Sequence, residues 1–396
     1  MNRPRSQRVR IVVPIHSFEP GGVERVALRL AAAWQSAGEE VTVVLGRAEG
    51  AGRTEEAGGL PYRTYRSFVR TARFETIWMI VCLYRYLRSE PADVIFCPGN
   101  TYTVVCAALR LLLGGRCPPV VAKVSNDLRR ADMPAPARLG YRAWVRAHAW
   151  IVDRFVAIAE PMAAEVAEEV GVDPNRVSVV PDPALTAAEW ERLSAREPRP
   201  CPVDGALIVG VGRLVRQKNF PLLLRAFASQ APAHDRLLIA GEGPEMARLQ
   251  GLAARLGIGD RTTFAGHCAD VLSLLERTDI FALPSDYEGV PAVMVEALAG
   301  GVPIVATECS GSISWLAGFG RDAIVVPVGD VERFGRALRE VRDLPLPGRD
   351  GRTRAAQFTL EQAAGSYLGL FEAEIAARNR PGWTAPREAK QRAPAS

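Results

Sequence analysis

The chain has 396 residues, 48% of them hydrophobic and 23% charged, the composition of a folded protein of two domains at roughly 100–200 residues each. Those values exclude a disordered, collagenous or coiled-coil chain. The net charge of +5 conceals an imbalance: residues 1–150 carry 22 Lys and Arg against 12 Asp and Glu, the remainder 27 against 32, so the front half suits an anionic partner.

In the first half, short β-branched runs alternate with helix-length amphipathic segments, the pattern of an α/β fold with parallel sheets. The predicted strands are Val9–Ile15, Val41–Leu45, Asp93–Cys97, Val120–Val124, Arg154–Ile158 and Val177–Pro181. After the first of them comes His16-Ser17-Phe18-Glu19-Pro20-Gly21-Gly22 and a helix opening. Gly21 and Gly22 would let backbone N–H groups and the helix N-terminus approach an anion. A turn that merely joins strand to helix is the plain alternative. Cations interleave with aromatics over Tyr62–Trp78 and again over Arg129–Trp150, which suits the surface of an anionic bilayer. No segment resembles a nucleic-acid module.

A linker is expected between about Ala184 and Gly205, where EPRPCPVDG is Pro-rich. Six further strands follow: Ala206–Val211, Arg236–Ala240, Thr262–Gly266, Asp279–Pro284, Val302–Thr307 and Asp322–Pro327, then helices over Val331–Arg342 and Thr359–Ala377. The count repeats that of the first half, so two similar open α/β units are expected. Ligands of such sheets bind outside the carboxyl ends of the strands. The tail from Pro381 is polar and Pro-containing, and reads as disordered.

Two loops of the second half carry charge where a ligand would sit. Gly210–Phe220 reads GVGRLVRQKNF, with Arg213 and Lys218 ahead of a helix that has Pro221 near its start. Two cations and a helix N-terminus suit a diphosphate. Lysine is rare, with only Lys123, Lys218 and Lys390 in the whole chain, so Lys218 stands out. A dinucleotide fingerprint would need a third glycine where Val215 stands. The second loop lies in PSDYEGVPAVMVEALAGGVPIVAT (Pro284–Thr307). There Glu288 ends a loop, Gly289 and Val290 bring backbone N–H groups to a helix start, and Glu296 follows eight positions after Glu288. Carboxylates accept from vicinal hydroxyls, which suits the polyols of a nucleotide sugar.

The seven cysteines form no C-x-x-C pair and there are four histidines, so no zinc site is expected. Scattered free cysteines fit a reducing compartment. The basic MNRPRSQRVR runs straight into a strand, and the longest apolar run, IWMIVCLY, falls far short of the roughly 20 residues a bilayer requires. The expected location is the cytoplasm, at the inner face of the cell membrane.

GGVER, GRLVRQKNF, GEGP (Gly241–Pro244), LLERTDIFALPSDYEGVPAVMVEALAGGVPIVAT and VPVGD (Val326–Asp330) together resemble the retaining, metal-independent glycosyltransferases of the GT-B architecture, family 4 (group 1). The resemblance spans residues 8–378. It implies two Rossmann-like domains facing across a cleft: residues 1–185 on the acceptor side, residues 203–357 for the nucleotide sugar, and a helix over 358–380 returning to the first. It also implies that Arg213 and Lys218 hold the donor diphosphate, that Glu288 sits by the transferred sugar, and that Glu296 accepts from the ribose. Gly22 would lie against the donor from the opposite wall. His267 and Cys268 would fall where backbone meets the base, and Asn126 or Asp127 would stand in for a histidine that many relatives carry just after the fourth strand. Asp182 replaces an Asn common among them.

In such enzymes the acceptor attacks from the face the diphosphate leaves, and a donor phosphate oxygen takes the proton. The implied activity is transfer from a nucleotide sugar, UDP- or GDP-linked, to a glycan or lipid-linked acceptor in surface polysaccharide synthesis, with no metal or other cofactor. The alternatives are a catalytically degenerate partner subunit, or a sugar phosphorylase or epimerase on the same fold.

Overall fold

The computed structural model describes residues 8–18, 22–49, 59–67, 74–125, 128, 135–197, 200–343 and 349–380. Two compact units divide the chain, one running to Asp182 and resuming at Leu360, the other spanning Pro183–Thr359.

The first unit runs β1 (Arg10–Ile15), α1 (Gly22–Ser36), β2 (Glu40–Leu45), β3 (Tyr62–Thr64), α2 (Glu75–Ser89), β4 (Val94–Cys97), α3 (Thr103–Leu113), β5 (Val120–Val124), α4 (Ala135–Ala147), β6 (Arg154–Ala157), α5 (Glu160–Val170) and β7 (Val177–Val179). The second runs α6 (Ala187–Ser194), β8 (Leu207–Val211), α7 (Phe220–Gln230), β9 (Arg236–Ala240), α8 (Met246–Arg255), β10 (Thr262–Gly266), α9 (Val271–Arg277), β11 (Ile280–Leu283), α10 (Ala292–Ala299), β12 (Ile304–Thr307), α11 (Gly311–Leu316), β13 (Ala323–Val326), α12 (Val331–Glu340) and α13 (Arg349–Ala356). The last helix, α14 (Leu360–Arg378), belongs to the first unit.

Both sheets are wholly parallel, in the orders β3-β2-β1-β4-β5-β6-β7 and β10-β9-β8-β11-β12-β13. Parallel strands are covered by helices on both faces and so read as unbroken apolar runs. VIFC and IFAL, buried at every position, are such runs. Strand order reverses between β1 and β4 in one sheet and between β8 and β11 in the other, the points at which open α/β sheets present ligand crevices.

All twelve predicted strands are present, shifted by at most two residues at either end. The first sheet also carries β3, a three-residue edge strand too short and polar to announce itself. The expected linker is not a bare connection. It folds as α6, capped when Thr186 Oγ1 accepts from Glu189 N–H and the Glu189 carboxylate accepts from Thr186 N–H. Leu193 then joins a core with Met294, Leu298 and Phe358. The T-x-x-E signature of that capping box was available in the sequence.

Helix α14 is bound into the first unit by rings. Trp34 of α1 meets Phe96, Tyr367 and Phe371 edge-on at centroid separations of 5.1, 5.8 and 5.1 Å, and its indole N–H donates to Ala364 O at 3.1 Å. Edge-to-face pairs contribute roughly 0.5–1.5 kcal/mol each beyond area burial.

Between α4 and β6, His148 is buried with Trp144 edge-on at 4.9 Å. Burial pushes its imidazole down to about 4, against about 6.5 in an unfolded chain. Between those values the unfolded chain binds a proton that the folded chain refuses. Stability contributed by the neutral ring is therefore complete above about 6.5 and declines as pH falls towards 4, by about 3 kcal/mol in all. Melting temperatures measured from pH 7 to pH 4 should fall more steeply for the wild type than for His148→Phe. Parallel curves would contradict this.

Candidate functional site

The switch point of the second sheet brings together the two loops that the sequence singled out. After β8 the chain makes a tight turn over Arg216–Lys218 and enters α7 through Asn219, whose φ of +41° is left-handed. Asparagine tolerates that conformation better than other non-glycine residues. Its carboxamide oxygen accepts from Leu222 N–H at 3.3 Å, and its Nδ2 donates to Asp286 Oδ1 at 2.7 Å. Gln217 adds two ties, donating from Nε2 to Tyr287 O at 2.9 Å and accepting Asp286 N–H on its backbone oxygen at 2.8 Å. The β8 and β11 loops are thus laced on either side of Lys218.

At the centre of that lacing, Lys218 Nζ lies 2.5 Å from Glu288 Oε1. The side chains are 19% and 9% exposed respectively. Ser285 Oγ donates to the same oxygen at 2.7 Å. An ammonium carries three donors, so the bond to Glu288 leaves two for an anion. Arg213 is exposed on the same loop and pairs with no carboxylate among the described residues. Cys309, after β12, is half-buried near both charges, and desolvation together with the Glu288 carboxylate pushes its thiol up to about 12. It is no nucleophile at neutral pH.

Two glycines of the GEGP loop let it press against the Arg213 loop. A Cβ on Gly241 would stand 1.9 Å from Gly212 O, and one on Gly243 2.4 Å from Leu214 O. Leu214 N–H meanwhile donates to Glu242 O at 2.7 Å and its carbonyl accepts from Glu245 N–H at 3.0 Å. Any side chain at either glycine would force the loops apart.

The remaining candidates are less closely grouped. Gly289 and Val290 sit at the entry to α10, with the Gly289 carbonyl accepting from Ser310 Oγ at 3.3 Å. Glu296 is buried about one turn along that helix. His267 is exposed, and Cys268 packs with Val209, Ala240 and Leu274. In the first unit Gly22 opens α1, and a Cβ there would meet nothing within 4 Å. Gly21, Asn126 and Asp127 lie outside the described residues. Sequence reading missed Gln217, Asn219, Ser285 and Asp286. Only Asn219 carried a local signal, an Asn ahead of Phe-Pro at a helix start.

In the first unit, the expected cationic and aromatic face is differently composed. Trp78 is half-buried, its indole N–H donating to Gly46 O at 3.0 Å, and Trp144 packs on His148. Phe74 and Trp150 are exposed, and aliphatic side chains complete the apolar surface: Ile77 and Val81 on α2, Leu111 and Leu112 on α3, and Leu139 on α4, the last 73% exposed. Arg85, Arg88, Arg142 and Arg146 are exposed on α2 and α4. Among the described residues no helix is long and apolar enough to cross a membrane. Phe68, Arg70, Arg73, Arg129 and Arg130 lie outside the described residues.

Known proteins resemble most of the chain. The family "Glycosyltransferase Family 4" matches residues 20–184 and "Glycosyl transferases group 1" matches residues 192–357. The lipopolysaccharide core biosynthesis glycosyltransferase LpsD of Rhizobium meliloti is 28% identical over 93% of this chain and 99% of its own length. Among solved structures, Anabaena HepE in complex with UDP superposes with a TM-score of 0.71 at 16% identity, covering 93% of this chain and all of that one. The apo lipopolysaccharide outer core galactosyltransferase WaaB gives the same TM-score and identity over 92% of this chain. At such identities the structures establish the fold, which is GT-B. The two family matches together account for most of the chain, one on each parallel-sheet unit, and the protein accordingly belongs to the group 1, family 4 glycosyltransferases.

Proposed function

We propose that the enzyme transfers a sugar, with retention of anomeric configuration and without a metal ion, from a uridine or guanosine diphosphate donor to a glycan or lipid-linked acceptor of a surface polysaccharide. The observation that carries this reading is the Lys218–Glu288 pair at the β8/β11 switch point, with exposed Arg213 on the same loop. During transfer the bond from anomeric carbon to diphosphate oxygen breaks, and its electron pair stays on the diphosphate. The acceptor oxygen bonds the anomeric carbon from the same face and passes its proton to a donor phosphate oxygen. Lys218 and Arg213 stabilise the negative charge gathering on the leaving group, as fixed cations do where charge develops. Glu288 and Glu296 accept from sugar and ribose hydroxyls.

UDP bound to HepE supports a uridine donor, and the name of LpsD supports the polysaccharide context. The exposed leucines and arginines of α2, α3 and α4 support an acceptor presented at an anionic membrane.

Nucleoside-diphosphate release from UDP-, GDP-, ADP- and dTDP-sugars, with membrane extract supplying acceptor, tests the reading. Release from one donor, unaffected by chelator and giving an α-linked product from an α-donor, is expected. Extract replaced by phosphatidylglycerol vesicles should sediment the protein, and phosphatidylcholine vesicles should not. Inverted product or loss of activity in chelator would overturn the mechanism. Failure to bind any of the four donors would overturn the function.

A further inference from the structure

Ser285 follows β11 directly after Pro284 and is wholly buried. Its carbonyl accepts from Thr307 Oγ1, itself buried at the end of β12, so neighbouring strands fix its backbone. Its hydroxyl donates 2.7 Å to Glu288 Oε1, the oxygen that Lys218 Nζ reaches at 2.5 Å. Two donors therefore converge on one carboxylate oxygen, and Oε2 accepts no hydrogen bond among the described residues. A carboxylate gripped by one oxygen from two directions cannot rotate freely, and the other oxygen remains as the acceptor.

We infer that Ser285 is a positioning residue for the transfer reaction, holding Glu288 so that Oε2 meets a hydroxyl of the transferred sugar. The inference rests on the function proposed above. Its physical content lies in what a donor does to the pair. A diphosphate draws the Lys218 ammonium towards itself and weakens the bond to Oε1. Ser285 is uncharged, has its backbone locked between β11 and β12, and gains nothing from a diphosphate. It keeps the carboxylate in place while Lys218 serves the leaving group. Lys218 and Glu288 can then act at the same moment on different parts of one donor.

Titration calorimetry on the full-length protein, with UDP-glucose and UDP as probes (GDP-mannose and GDP if the release panel selects that base), separates the possibilities. Wild type should bind the nucleotide sugar more tightly than the bare diphosphate. Ser285→Ala should lose most of that difference, about tenfold for one hydrogen bond to a charged group, while its affinity for the bare diphosphate stays within twofold. Ser285→Thr, which keeps the hydroxyl, should restore the difference. A serine that merely supported the fold would weaken both ligands together, and that result would overturn the inference. So would a sugar-dependent difference left intact in Ser285→Ala. A wild type that binds neither probe nor any donor of the panel would remove the proposed function, and this inference with it.

Discussion

Replacing Lys218 with Ala should slow nucleoside-diphosphate release by roughly a hundred- to a thousandfold, about 3–4 kcal/mol of transition-state stabilisation. The size of the effect follows from the environment. The ammonium is 19% exposed and touches a carboxylate that is 9% exposed, so little water is present to take over its charge. The fold should survive, because the cap of α7 is made by Asn219 and the ties between the loops by Gln217 and Asp286. The transition should stay cooperative, with a melting temperature several degrees below wild type, because Glu288, 9% exposed, keeps the Ser285 hydroxyl but loses its counter-charge. Arg213→Ala should cost less, about ten- to a hundredfold, since an exposed guanidinium is partly screened. Near-wild-type release by Lys218→Ala would refute the assignment of the diphosphate site. Equal losses at both positions would refute the account of their difference.

That site was legible in its parts and illegible in its assembly. Lys218 stood out because lysine is scarce, and Glu288 because it ends a loop between an apolar strand and a helix. Their contact spans 70 residues of sequence. It depends on β8 lying beside β11 rather than beside another strand, and one sequence does not display strand order. Ser285 was overlooked for a related reason. A serine in a loop is unremarkable until burial removes the water it would otherwise bond. The strands themselves were legible because parallel strands are apolar throughout, whereas β3, with its exposed Arg63 and Thr64, offers no such run. Helix α13 escaped because RDGRTRAA has no apolar stripe. Helix α6 did carry a capping box, and the Pro-rich segment after it drew attention away.

Asp182 illustrates the same point from the side of stability, and the expected result there is asymmetric. The two oxygens of Asp182 accept from Lys123 Nζ at 2.9 and 3.0 Å. Lys123 is the fourth residue of β5, and its side chain is 1% exposed, against 21% for Asp182. Asp182→Ala should therefore destabilise the first unit by about 3–5 kcal/mol, because it strands an ammonium inside the sheet. Lys123→Met should cost less, since the carboxylate left behind can still reach water. The double variant Lys123→Met/Asp182→Asn should regain most of the loss, leaving no buried charge. Over a unit of about 200 residues each kcal/mol moves the melting temperature by roughly 2–4 °C, so Asp182→Ala should melt some 10 °C lower. The transition to follow is that of the first unit, because a chain of two units need not unfold in one step. Tyr367 of α14 is buried within the field of Asp182, which helps to hold its phenol protonated. A double variant no more stable than Asp182→Ala would mean that the charge pair is not what this strand and the end of the first unit depend on. Recovery would show that the first unit loses stability from a single stranded charge and not from the absence of the pair.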